Sequence, residues 1–177
     1  MGRKIRRVVT GHDEDGVAKV IMDGTANCIL NRPNRPGVTL TNLWQNTQMP
    51  AVMECHDDPV DGPLVLHPPK NGSVFRIVQF DPENSEELAS LDGKAAFAEM
   101  GAGTSIVEGA RHPFMHRTDS VDYAVVMTGQ IYMMLDEDEY LLKAGDVVVQ
   151  QGTNHAWSNR GSEPCQIAFI LTDAVRS

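Results

Sequence analysis

Short apolar runs alternate with polar punctuation along almost the whole chain. Runs rich in Val, Ile, Thr and Tyr fall at residues 6–10, 17–22, 39–45, 73–80, 104–108, 122–128, 131–135, 140–143, 146–150 and 166–171, with glycine and proline spaced between them. Brief β-branched and aromatic runs bounded by turn residues predict strands, so the chain reads as mostly β. One segment breaks this pattern. Asn84 and Ser85 precede Glu86, Glu87 and Leu88, then Asp92 and Gly93 end the run and an alanine-rich stretch covers residues 94–100. A capping residue followed by an acidic first turn predicts a short helix, here lying between strands as a lid or plug across one end of a sheet.

The pattern is densest in the last third. Residues 123–127 and 131–135 flank Thr128, Gly129 and Gln130, a tight connection whose glycine permits positive φ, and a polar turn at 136–139 leads into 140–143. That is a meander. Two more strands, 146–151 and 166–171, are separated by a loop containing Gly152, Asn154, Gly161 and Pro164. So many short antiparallel strands predict a sandwich or barrel, and the near-continuous VVV and IAFI runs imply that both sheet faces are at least partly covered.

The 177 residues fit one domain, long enough to bury a core without disulfides or a structural metal. A net charge of −9 opposes binding to phosphate backbones and anionic membranes, so nucleic acid and lipid are excluded as expected partners. No run approaches the roughly 18 to 20 apolar residues of a membrane span, and the opening MGRKIRRVVT lacks a secretion signal's apolar stretch, so a cytoplasmic protein is expected. Three widely spaced cysteines, Cys28, Cys55 and Cys165, suggest neither a disulfide framework nor a zinc site. They are expected as reduced thiols, with Cys165 buried in a strand.

Candidate chemistry comes from two alternating rows. If residues 116–122 are extended, His116, Thr118, Ser120 and Asp122 project from one face and lead into Ala124 and Val126 on that same face. Burying a carboxylate and an imidazole there is costly unless they are paired or hold a metal. His155, Trp157 and Asn159 alternate in the same way; Trp157, like Tyr123, reads first as packing, but sharing a face with His155 makes it a candidate pocket wall. A barrel that joins the two rows lets His116, Asp122 and His155 converge. Two imidazoles and one carboxylate with open positions suit non-haem iron and accept manganese, nickel or zinc, while a buried His–Asp pair without metal is the competing reading. His112, four residues before His116 but followed by Pro113, is a candidate fourth ligand or rim base against a plain loop histidine. Thr118 and Ser120 are candidates to hold a bound water or a substrate oxygen. The clusters at 12–15 and at His56, Asp57 and Asp58 have no spaced partner and read as solvated loops.

The segments HPFMHRTDSVDYAVVMTG and AGDVVVQQGTNHAWSN resemble the two motifs of the cupin superfamily. Gly145, Gly152, His155 and Asn159 fit the second motif, with glutamine where proline is usual and one residue fewer after Gly145. In the first motif His116 stands at the first histidine, Asp122 at the glutamate and Thr118 where the second histidine is usual. The resemblance covers about residues 110–159. It implies an all-β, cupin-type antiparallel jelly-roll β-barrel with an N-terminal strand extension and a short helical insertion. The expected division of this single domain is an arm with added strands at 1–70, a barrel core at 71–173 and a tail at 174–177.

The resemblance further implies a divalent first-row metal ion (Fe, Mn, Ni or Zn) at His116, Asp122 and His155, with His112 and Thr118 as catalytic candidates. The implied activity is a small metal-dependent enzyme acting on a polar small molecule, an oxygenated acid, enol or ketone. Lewis-acid lyase, decarboxylase, dehydratase or isomerase chemistry and dioxygenation are all open, and a non-catalytic binding or sensing cupin is the alternative. Strands at 6–10 and 17–22 offer edges that a second subunit would cover, so a homodimer is expected.

Overall fold

The computed structural model describes residues 3–53 and 57–176; Cys55 and His56 lie outside the described residues. Among them run β1 (Arg6–His12), β2 (Ala18–Thr25), β3 (Ile29–Asn31), β4 (Val38–Asn46) and β5 (Ser73–Phe80), then α1 (Ser85–Ala89) and α2 (Gly93–Ala98). They are followed by β6 (Ser120–Thr128), β7 (Gln130–Met134), β8 (Glu139–Lys143), β9 (Val147–Gln151), β10 (Ala156–Ser158) and β11 (Cys165–Asp173). The strands form three antiparallel sheets, in the orders β1-β2, β10-β7-β8 and β3-β4-β5-β11-β6-β9. This is an all-β barrel of the kind the strand pattern predicts, in the jelly-roll form that the cupin resemblance implies.

The core lies between the six-stranded and three-stranded sheets because each wide-sheet strand alternates its side chains. On β11, Cys165, Ile167, Phe169 and Leu171 are buried while Ile170 is exposed. On β6, Ala124 and Val126 are buried while Tyr123, Val125 and Met127 face outward. The inner residues meet Ile131 of β7 and Trp157 of β10, with the Trp157 and Phe169 rings edge to face at 5.4 Å.

The helical insertion forms where its caps predict. The Asn84 side chain accepts from Glu86 N, and that of Asp92 accepts from Lys94 N and Ala95 N. It is a plug. Ala96, Phe97 and Met100 are at most 1% exposed and belong to the main core. Gly93 makes the fit: a Cβ there would stand 2.2 Å from the Pro113 carbonyl oxygen, so only glycine lets α2 rest on the segment that carries His116.

Two corrections concern short segments. The run at 104–108 is not a strand. Gly101 and Gly109 turn left-handed on either side of it, and it keeps a single bridge, Ile106 to His116. The three-residue strands β3 and β10 are too short for a two-residue alternation to reveal. No helix among the described residues is long and apolar enough to cross a membrane.

Candidate functional site

The barrel interior holds a cavity of about 70 Å³, large enough to admit water. Its walls are mostly apolar, with Phe97 of α2, Trp157 of β10 and Phe169 of β11 among them, while His116, Thr118, Asp122 and His155 line its polar side. The structure therefore brings together the three predicted residues and Thr118. Only Asp122 sits in a long strand; His116 lies in the extended approach to β6, where its backbone bonds reciprocally to that of His155 at 2.9 Å. The same-face alternation expected for 116–122 holds along this approach, with residues 116, 118, 120 and 122 buried and 117 and 119 exposed.

The polar groups form one connected chain. Thr118 Oγ1 and Ser120 Oγ are 2.7 Å apart, and Ser120 Oγ donates to Asp122 Oδ1 at 2.6 Å. The Gln150 amide nitrogen then bridges, donating to Asp122 Oδ2 at 3.0 Å and to His155 Nε2 at 3.2 Å. Each imidazole is fixed from behind: His116 Nδ1 lies 3.0 Å from the Phe114 carbonyl oxygen and His155 Nδ1 3.0 Å from that of Thr153. A carbonyl only accepts, so each Nδ1 carries the hydrogen and each Nε2 presents its lone pair. The two rings lie 4.3 Å apart between centroids.

Burial sets the charge states. It pushes the His155 imidazole down to about 4, and it drives His116 well below its ordinary range, helped by the neighbouring His155. Both are neutral at physiological pH. Burial raises the Asp122 carboxyl, against the Ser120 hydrogen bond, the Arg76 charge and the Gln150 amide, which all favour the ionised form.

Whether these residues suit a metal is decided by Gln150. Its amide stands between Asp122 and His155, where an ion shared by the two would have to sit. Among the described residues no group of three or more His, Cys, Asp or Glu side chains is placed to hold a metal. The arrangement fits a hydrogen-bonded chain rather than a three-ligand centre. His112 is buried, but its ring does not line the cavity; Nδ1 accepts from Phe114 N at 3.2 Å, and Nε2 has no partner among the described residues.

Sequence reasoning missed Gln150 and three arginines. Arg32, Arg35 and Arg76 all line the cavity and are at most 5% exposed. Arg35 Nη2 donates to the Trp157 carbonyl at 3.0 Å, and its guanidinium lies 4.2 Å from the Phe114 ring centroid. Burial, reinforced by Arg32, pushes Arg35 down to about 9, and burial pushes Arg76 to about 10, so both stay cationic at neutral pH. A signal existed for Arg76, the one charged residue in the strand run 73–80, and for Gln150 at the position where the second motif usually has proline.

Residues 104–171 match the family Cupin_2, a cupin domain. Over 62 residues, 34% of this chain, the sequence is 60% identical to a phomopsin biosynthesis cluster protein of Diaporthe leptostromiformis, and that match spans only 33% of the relative's length. Over 97% of this chain it is 29% identical to an oryzines biosynthesis cluster protein of Aspergillus oryzae, covering 84% of that protein. A cupin-domain-containing oxidoreductase of Aspergillus ruber is 25% identical over 96% of this chain and 73% of its own. Among solved structures, a Cupin 2 conserved barrel protein of Salinispora arenicola superposes with a TM-score of 0.42 at 17% identity, covering 81% of this chain and 82% of that one. Both motif segments, residues 112–129 and 144–159, lie inside the residues that match the cupin domain, and the jelly-roll barrel closes around them.

Proposed function

We propose that this protein is a cytoplasmic small-molecule enzyme whose reaction is a redox-neutral proton transfer of the lyase or isomerase type, with Asp122 as the base. The observation that carries this reading is the polar chain from Thr118 to His155 along one side of a cavity whose remaining walls are apolar side chains and three buried arginines. A carboxyl raised by burial and held by two donors is poised to accept a proton, and a dry wall strengthens every charge interaction around it. Asp122 takes a proton from the carbon beside a substrate carbonyl, and the electron pair moves onto the carbonyl oxygen. Where the deprotonated carbon bears a hydroxyl, the proton returns to the former carbonyl carbon while the hydroxyl proton passes to the former carbonyl oxygen, which completes an isomerisation; where the carbon on the other side bears a leaving group, that group departs with its bonding pair as the carbonyl re-forms, which completes an elimination. The neutral His116 imidazole accepts a hydrogen bond from a substrate hydroxyl and fixes the substrate's orientation, while His155, whose Nε2 accepts from Gln150, shapes the wall beside it. The relatives named for phomopsin and oryzines biosynthesis clusters support a biosynthetic intermediate as the substrate.

The test is deuterium wash-in. Incubated in heavy water with a panel of 2-oxo acids, 3-hydroxy acids and enols, the protein should label at least one compound beside its carbonyl. Binding with neither exchange nor turnover across the panel would favour a non-catalytic sensing or carrier cupin.

A second reading, metal-dependent chemistry, is favoured by two neutral imidazoles whose rings stand 4.3 Å apart, each with its Nδ1 fixed by a backbone carbonyl, and by relatives named as oxidoreductases. There Fe, Mn, Ni or Zn would be held by His116, Asp122 and His155 and would supply Lewis-acid or oxygen chemistry. That requires the Gln150 amide to move aside. Gln150→Ala then separates the readings: metal content of the purified protein should stay low and unchanged under proton transfer and should rise under metal dependence.

We also propose a homodimer. The outer face of the wide sheet leaves Phe75, Tyr123, Met127, Val149 and Ile170 between 38% and 55% exposed, an apolar patch of the kind that monomers rarely leave uncovered. Light scattering at micromolar concentration should give twice the 19.4 kDa chain mass. A monomer under those conditions overturns the assembly.

A further inference from the structure

Arg76 is the one charged side chain on the inner row of β5, whose other members are Val74, Val78 and Phe80. It is 2% exposed. Its Nη2 donates to the Val65 carbonyl at 2.8 Å, while Nε and Nη1 have no partner among the described residues. In register Arg76 stands beside Phe169 on β11 and Asn42 on β4. Asn42 Oδ1 is buried without a partner as well, so the fold has not spent either group on the other. Leaving donors of a guanidinium unmatched away from water is costly, and the usual remedy is an anion.

The rest of the cavity supports this. Arg32 has Glu99 at 3.5 Å, although its Nε makes no hydrogen bond, and Arg35 is held by the Trp157 carbonyl and the Phe114 ring, so of the three arginines Arg76 leaves the most nitrogens unmatched among the described residues. Asp122 is the single carboxylate in the lining, set against three guanidinium groups. It forms no ion pair with Arg76 within 4 Å among the described residues. A positively charged cavity inside a chain of net charge −9 concentrates small anions and discriminates against cations.

We propose that Arg76 anchors the carboxylate of a small organic acid, whose body lies along the apolar wall and reaches toward Asp122. Nη2 keeps a second hydrogen, so it can pair with either Nε or Nη1 to offer two parallel N–H groups, the fork that fits a planar carboxylate. The span suits such a ligand. β5 and β6 flank β11, so their axes lie about 10 Å apart, and both Arg76 and Asp122 project into the space between. The identity of the reacting end rests on the proton-transfer reading; the anchor does not.

The experiment is calorimetric titration of the intact protein, in chelator, with butanoate, with its neutral counterpart butanamide and with inorganic phosphate. Butanoate should bind at least tenfold more tightly than butanamide, and phosphate no more tightly than butanamide. Arg76→Gln, checked for folding by circular dichroism, should abolish the preference for the acid, and Arg76→Lys should restore only part of it. If Arg76→Gln does not fold, the acid-to-amide ratio of the unaltered protein and the Arg76→Lys value decide the matter. Equal binding of acid and amide overturns the anchor, as does a preference that survives Arg76→Gln, and tighter phosphate binding overturns the carboxylate class. A clear acid preference without deuterium exchange on any panel compound upholds the anchor and overturns the enzyme reading; exchange without an acid preference does the reverse.

Discussion

Asp122→Asn should lower turnover on the substrate found in the exchange panel by about 10²- to 10⁴-fold, the usual contribution of a positioned general base. The substitution keeps the shape of the side chain and removes the charge that takes the proton. Asn Oδ1 can still accept from Ser120 Oγ, but an amide NH₂ facing the Gln150 amide loses that bond. Part of this loss is offset, because a carboxyl whose ionised form is disfavoured by burial no longer has to be accommodated. The fold should therefore survive, and binding of a small acid should change by only a few-fold. Steady-state kinetics separate the outcomes: a fall in kcat with KM nearly unchanged assigns the proton step to Asp122. An unchanged kcat refutes that role.

Stability should fall steeply as the medium is acidified from pH 6.5 toward pH 4. Burial holds His155 and His112 at about 4 and His116 well below the ordinary imidazole value of 6.5. Between those limits the unfolded chain binds protons that the folded chain refuses. The contribution of these imidazoles is thus fully present above 6.5 and is lost as pH falls toward the folded values. Each one contributes a slope of about 1.4 kcal/mol per pH unit, so three acting together rival a whole domain's stability of roughly 5–15 kcal/mol within two units. Asp122 has the opposite sign. Its raised folded value favours the folded state in acid, an advantage lost as pH rises above the ordinary 3.8, so it offsets the imidazoles only at the lower end of the range. Thermal midpoints measured in chelator from pH 7.5 to 4.5 should drop sharply, and His155→Gln should flatten the curve by about one proton's slope. A midpoint that stays constant down to pH 4.5 contradicts the burial of these rings.

The barrel was legible because short β-branched and aromatic runs bounded by glycine, proline and polar turns mark strands locally, as at β5, β6 and β11. The caps at Asn84 and Asp92 marked the helical insertion for the same reason: the signal is local. His116, Thr118 and Asp122 were legible as a row, and Trp157 as the wall beside His155, its ring edge-on to the imidazole at 6.1 Å between centroids. What could not be read is non-local. Nothing in the sequence says that the Gln150 side chain, 28 residues from Asp122, spans from it to His155. Arg32 and Arg35 lie on a connection with no periodicity, and only the closing of the barrel turns them inward. Residues 104–108 have strand composition but only one bridging partner, which shows pairing overriding propensity.

The unmatched hydrogen-bonding capacity of Arg76 has a consequence for how the protein fares in a cell. A sequence shaped for durability alone would put an aliphatic side chain on that inner row, since a packed hydrophobic replacement of a buried charge is often neutral or stabilising. Keeping the guanidinium leaves the empty barrel frustrated at its centre. An acid bound there relieves that frustration only in the folded chain, and each tenfold rise of its concentration above Kd adds about 1.4 kcal/mol to the folded state. Steady-state abundance would then follow the supply of substrate, with unliganded copies the first to be opened and degraded by proteases.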